Sequence, residues 1–385
     1  MINHPLWRVG FRPFFALACL AGMFLPLWWV LVYAGAVPPA PSFVTSPLQW
    51  HAHEMFYGFG WAALGGFLLT ASKNWVGVRG WHGPALIWLV AAWLFDRIGM
   101  SLGAGWPAPL FWLSNSLFMA SIVAMLLWTL WCHRANDSFG DNHFLLLALP
   151  LFLPAKWLIA QGDYFVLGWS MTLALFRLAF LLMLERTLTQ FMRGLFQVDI
   201  LRHPGLDAAI KWLALLLVFE QVLPAALAGP LDLLLALLLG GRFVRWHPRR
   251  AFTRLDIGIM YVGYLSIVLQ LLVAALGHYV EPPWGGAVAV HLFSFGAMGV
   301  VIPAMIVRIA QGHTGRRVEF GRIDRAALWI MLAALATRIL APQLYPAGYT
   351  AWLYLAAACW CVAFGLLAWR FVPMLFAPRV DGREH

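Results

Sequence analysis

The run Trp50-His51-Ala52-His53-Glu54-Met55 sets two imidazoles and a carboxylate almost side by side at the head of a long apolar stretch. Neutral imidazole is the usual protein ligand for haem iron and copper. A carboxylate beside it can hold the second ring N–H or relay protons. In a regular helix His51 and Glu54 share a face while His53 points away, so the two histidines converge only if residues 50–52 are still in the preceding loop. The alternative is an interfacial histidine pair bonded to water. His291, in Ala289-Val290-His291-Leu292-Phe293-Ser294, is a second candidate ligand, or a packing histidine. His313 differs, because Gln311-Gly312-His313-Thr314-Gly315-Arg316 follows the end of an apolar run. Gly312 reads as a helix C-cap, and flanking glycines allow a flat or phosphate-like ligand to approach. Arg308 and Arg316 could pair with haem propionates or simply mark a basic membrane face.

These residues must be positioned by membrane helices. The 385-residue chain is 62% hydrophobic and 11% charged, against about 25% charged in soluble domains. Apolar runs long enough to cross a hydrocarbon core of about 30 Å occupy residues 13–35, 50–72, 84–103, 108–132, 143–161, 163–184, 208–228, 230–246, 256–277, 286–309, 324–342 and 349–371. The expectation is one all-α, polytopic membrane domain over 1–385, with about twelve transmembrane helices. Of the 26 Lys and Arg residues, all but Arg97, Lys156, Arg177 and Arg338 fall at the termini or near the loops after even-numbered spans. The opposite loops carry none, which places both ends in the cytoplasm. The net charge of +10 is thus a topology signal parcelled among short loops, and nucleic acid is not an expected partner.

Charges inside spans usually face a partner or a cavity. Arg97, Lys156 and Arg338 lie toward the outer ends of their spans, where they either snorkel to the interface or line a polar cavity beside the histidines. Cys359 and Cys361 are spaced i,i+2, which suits neither a disulfide nor a metal clip. No P-loop, dinucleotide fingerprint or C-x-x-C-H motif occurs, so any haem would be bound non-covalently. Helices 2 and 10 echo each other, each with a histidine five residues before a glycine (His53 and Gly58; His291 and Gly296). The echo alone does not support a duplication.

Several blocks together resemble the NnrS family of bacterial membrane proteins. They are Gly10-Phe11-Arg12-Pro13-Phe14-Phe15, the His51/His53 block followed by Gly65 to Ala71 and Asn74-Trp75, Gly263-Tyr264, His291 with Gly296 to Gly299, and Arg308 through Gly312-His313-Thr314-Gly315-Arg316. The resemblance implies a twelve-helix inner-membrane protein carrying haem b and copper. It implies a role with nitric oxide in denitrification and in protection against nitrosative stress. It also implies that His51, His53, His291 and His313 stand at histidine positions of the family. Two stretches depart from the pattern: Tyr261-Val262-Gly263-Tyr264, where relatives carry a histidine, and Glu185-Arg186-Thr187-Leu188-Thr189-Gln190. An inner-side cofactor site would then use His313 or Tyr261.

The resulting expectation is a protein that binds or reduces nitric oxide at His51, His53 and His291, with Glu54 delivering protons and an unknown electron donor. Whether it is an enzyme stays open. A transporter or metal-handling permease, and a non-catalytic nitric oxide or redox sensor, are the alternatives.

Overall fold

The computed structural model describes residues 4–383 apart from 43, 45, 201, 282, 285 and 286. It is all-helical, with no strand among the described residues. Among the described residues, eleven helices are long and apolar enough to cross a membrane: α1 (Phe11–Tyr33), α2 (Pro47–Trp75), α3 (Pro84–Gly105), α4 (Ala108–Cys132), α5 (Gly140–Ala160) and α6 (Gly162–Phe196), then α8 (Ala225–Arg245), α9 (Leu255–Gly277), α10 (Val288–Gly312), α11 (Arg322–Leu344) and α12 (Pro346–Phe376). Between α6 and α8 lies α7 (Pro204–Leu216), continued by a 3-10 turn over Leu217–Val222. Large apolar side chains such as Phe24, Trp128, Leu237 and Trp369 stay exposed along these helices, as a lipid solvent allows. The chain is a multi-pass membrane protein that lies in a lipid bilayer.

The turn between α7 and α8 corrects the expected boundaries at 228 and 230. Leu223 is extended, as the residue before a proline tends to be, and Pro224 caps α8. Gly229 and Pro230, read from sequence as the turn, lie inside α8. The 13 α residues and six 3-10 residues of α7 together rise about 31 Å, enough to cross. Asp207, Lys211 and Glu220 place three charges within this segment.

The chain forms two compact units: residues 1–169, 306–319 and 364–385, and residues 170–305 and 320–363. In the first, backbone bonds tie chain ends together on one face. Gly83 N–H donates to Trp7 O (2.7 Å), Ser138 N–H to Trp75 O (2.9 Å) and Val380 N–H to Thr314 O (3.1 Å). Arg12, buried at the head of α1, donates from Nη1 to Leu375 O (2.8 Å) and Ala377 O (2.7 Å) at the end of α12. On the opposite face Ala104 N–H meets Pro41 O (3.1 Å) and Gln49 Nε2 meets Ile159 O (3.2 Å). Both chain ends, the α2–α3 and α4–α5 loops and the end of α10 therefore share one face. That parity requires an even number of crossings, which the eleven helices would reach together with the α7 segment.

The Gly10–Phe15 and Gly65–Ala71 blocks pack on each other. Phe11 N–H donates to Thr70 Oγ1 (2.9 Å). A methyl group at Gly10 would come within 2.5 Å of Leu69 Cβ, and one at Gly66 within 2.7 Å of Phe14 Cβ. Gly66→Ala is therefore expected to force α1 and α2 apart and cost about 1–3 kcal/mol, read as a lowered melting temperature in detergent.

Helices α2 and α10 are both interrupted by π-helix. In α2 it covers Glu54–Gly60, immediately after His53, and in α10 it covers Ser294–Met298, shortly after His291. Gly58 and Gly296 of the sequence echo both fall within these wide turns. Such insertions recur at functional sites.

Candidate functional site

The charges of the first unit converge on the π-helical turn of α2. Ser46 caps α2 in a capping box with Gln49, and Pro47 takes the first turn, so residues 50–52 are already helical. His51 and His53 then point in different directions, and the convergence that a loop would have allowed does not occur. His51 is half-buried and stacks on Trp29, ring centroids 4.2 Å apart.

His53 is fully buried, with Nδ1 3.1 Å from Glu54 Oε1 and Nε2 2.9 Å from Asn115 Nδ2. Arg97 Nη1 stands 2.8 Å from Glu54 Oε1 and its Nη2 2.6 Å from Asp96 Oδ2. Lys156 Nζ lies 2.5 Å from Asp96 Oδ2 and donates to the Asn115 carbonyl. One residue network thus joins α2, α3, α4 and α5. Glu54, Asp96 and Lys156 have at most 2% side-chain exposure and Arg97 11%, so Arg97 and Lys156 do not snorkel. Two carboxylates against two cations leave the network neutral around His53, the arrangement that lets charges persist at membrane depth.

The π-turn shapes this network. It sets Gly58 beside the ion pair, where a Cβ would come within 2.5 Å of Arg97 Nη1 and 3.2 Å of Glu54 Oε2. The Gly58 carbonyl is satisfied from outside the helix by Trp93 Nε1 (3.1 Å). Glu54 Oε2 is buried with no hydrogen-bond partner among the described residues. A carboxylate with one oxygen committed and one oxygen open, next to an imidazole, can accept and pass on a proton. Close to this region the α1–α2 connection covers a cavity of about 270 Å³, lined by residues including Trp28, Pro39, Ser42, Val44 and Trp50.

The other candidates lie elsewhere. His291, in the second unit, has Nδ1 2.7 Å from Ala287 O and Nε2 3.4 Å from Arg338 Nη2; Arg338 also reaches Tyr349 OH at 3.5 Å. His313 lies in the first unit, at the face that holds both chain ends. Its ring packs on Phe11 at 5.5 Å and its carbonyl accepts from Arg379 (3.1 Å). Gly315, with φ +81°, makes the left-handed turn there, and Gly312 is the last helical residue rather than the cap. Arg308 is half-buried near the end of α10. Tyr261 is buried in the second unit and donates to Trp246 O (2.5 Å), so its phenol is committed to the backbone.

Burial, with Lys73 and Arg379 nearby, pushes the His313 imidazole from 6.5 down to about 4. It is neutral at neutral pH, as a metal ligand must be. The sign of the linkage follows. Between pH 6.5 and 4 the unfolded chain binds the proton and the folded one does not, so His313 removes stability as pH falls through that window. His313→Gln is expected to flatten the acid side of a melting-temperature profile there; an unchanged slope would contradict this.

Imidazole holds iron or copper best when one nitrogen keeps its lone pair and the other donates to a fixed acceptor. His291 fits in its tautomer, since Nδ1–H on Ala287 O makes Nε2 the lone-pair nitrogen, but Arg338 Nη2 at 3.4 Å must release that nitrogen before it can bind a metal. His313 fits by protonation state. His53 does not fit as placed, because Glu54 and Asn115 take both of its nitrogens, and His51 and His53 do not present their rings to one ion.

Sequence reasoning missed Asn115, a neutral side chain without a cost signal. It also missed a second network in the second unit. There Glu185 of α6 meets Arg202, Lys211 Nζ (2.9 Å) and Arg242 Nη1 (2.9 Å); Arg242 Nε also donates to Tyr264 OH (2.9 Å), and Asp207 completes the cluster. The Glu185 stretch that departs from the family pattern is thus the centre of an ion network.

The sequence model of the NnrS family, described as NnrS protein, matches residues 5–379, nearly the whole chain. No curated protein matches the chain.

Proposed function

The chain belongs to the NnrS family, and from that premise we propose a haem- and copper-containing protein of the bacterial inner membrane that binds or reduces nitric oxide. It would act in denitrification and protect the cell against nitrosative stress. What supports this most is the buried, charge-balanced network in which Glu54 opens the π-turn of α2 and His53 immediately precedes it. Nitric oxide is small and apolar enough to reach such a site through the bilayer.

When bound, haem b and copper would supply the nitric oxide binding and the electron transfer. His51, His291 and His313 are the residues proposed to hold them, with Arg308 near His313 for haem propionates. His53 joins them only if Asn115 releases its Nε2. Reduction of two nitric oxide molecules to nitrous oxide and water takes two electrons from an external donor and two protons. Glu54 would hand over the protons from Oε2 while Arg97 holds its other oxygen.

Absorption spectra and metal analysis of purified His51→Ala, His53→Ala, His291→Ala and His313→Ala test this assignment. Loss of haem or copper is expected with His51, His291 or His313, and full retention in all three variants would refute the ligand set. A permease reading draws on the two compact units, each with a π-interrupted helix behind a histidine. A colourless protein that moves copper or an anion into vesicles would favour it. A sensor would bind nitric oxide without consuming it.

A further inference from the structure

A third cluster of ionisable groups, in the second unit, belongs to neither network. The irregular end of α7 carries Glu220, α8 carries Asp232 two turns in, and His278 caps α9. His278 Nε2 lies 3.3 Å from Glu220 Oε1 and 3.4 Å from Asp232 Oδ2. One ligand atom from each of the three residues falls within 4.8 Å of the others. Asp232 is 0% exposed; among the described residues its Oδ2 has only the long 3.4 Å contact to His278 and its Oδ1 has no hydrogen-bond partner. A carboxylate stripped of water and so weakly bonded is strongly disfavoured unless a cation satisfies it. Arg177 is close enough to act on Asp232 electrostatically, but its Nη1 donates to Gln270 Oε1 (3.0 Å) and its other nitrogens bond to neither oxygen.

We propose that Glu220, Asp232 and His278 form a binding site for a divalent first-row transition cation. One imidazole and two carboxylates suit such a cation and leave coordination positions for water. Glu220 and His278 keep 11% and 19% exposure, which provides an entry path to the buried Asp232. The position also explains what the ion would do. Helix α7 runs into a 3-10 turn with a non-helical Phe219. A cation bridging Glu220, Asp232 and His278 would pin that end to α8 and α9. The site shares no residue with the ligands proposed for haem and copper.

The test uses the full chain in detergent, stripped with a chelator and titrated with Zn²⁺ or Mn²⁺, with metal content and melting temperature as readouts. Wild type is expected to take up one ion more per chain than Asp232→Asn or His278→Gln. Affinity at this site should fall by more than the roughly 10- to 100-fold that loss of an outer-shell partner costs. Saturation should raise the melting temperature of wild type only. Without metal, both variants are expected to keep a single cooperative melting transition, which separates loss of a ligand from failure to fold. Equal stoichiometry and affinity in wild type and both variants would overturn the proposal, leaving His278 as a hydrogen-bonding bridge between two carboxylates. The haem and copper content of these variants reads the preceding proposal independently.

Discussion

Arg97→Met is expected to destabilise the protein by roughly 3–5 kcal/mol, the cost of leaving a buried ion without its partner. Arg97 is the arginine that pairs with Glu54, and it shares Asp96 with Lys156. Its loss leaves two carboxylates with one ammonium group, in a setting where water cannot compensate. Adding Glu54→Gln restores neutrality, because Asp96 and Lys156 still pair. The double variant should therefore recover much of the lost stability, and a double-mutant cycle of denaturation midpoints should show coupling well above additivity. Additive effects would mean that the pair is not energetically joined.

Glu54→Gln alone is expected to behave in the opposite way. Arg97 retains its ion pair to Asp96, so folding should suffer less than in Arg97→Met, although one positive charge is left in excess. The amide, however, can neither take up nor release a proton at neutral pH. If Glu54 delivers protons for nitric oxide reduction, anaerobic turnover with an artificial donor should fall by about 10²- to 10⁴-fold, the usual worth of a positioned acid–base group. Haem and copper content should stay unchanged, since Glu54 is not a proposed ligand. A variant that loses its cofactors together with its turnover would instead make Glu54 a support for the metal site.

Much of this was legible in the sequence, for physical reasons that also mark the limits. A lysine or arginine must reach water on a definite side, so their alternation predicted the shared face that Arg12, Leu375 and Ala377 now join. A charge within an apolar run stands out by its cost, which singled out Glu54, Arg97 and Lys156. Their pairing depends on four helices at once and left no local trace. Asn115 and Gln49, neutral and short, raise no such flag. Arg242 and Lys211 read as ordinary inner-face cations because nothing local reveals that both fold onto Glu185. The π-turns are equally silent, although the paired histidine–glycine spacing was their faint signature. At α7 and α8, Pro224 and Pro230 offered two equivalent breaks, and the three charges of α7 blurred its apolar run.

The most direct test of the account is the absorption spectrum of the purified protein, taken with copper analysis before and after anaerobic addition of nitric oxide. The account predicts a haem Soret band that shifts when nitric oxide is added, together with bound copper. A colourless protein with no copper, whose spectrum nitric oxide leaves unchanged, would contradict it.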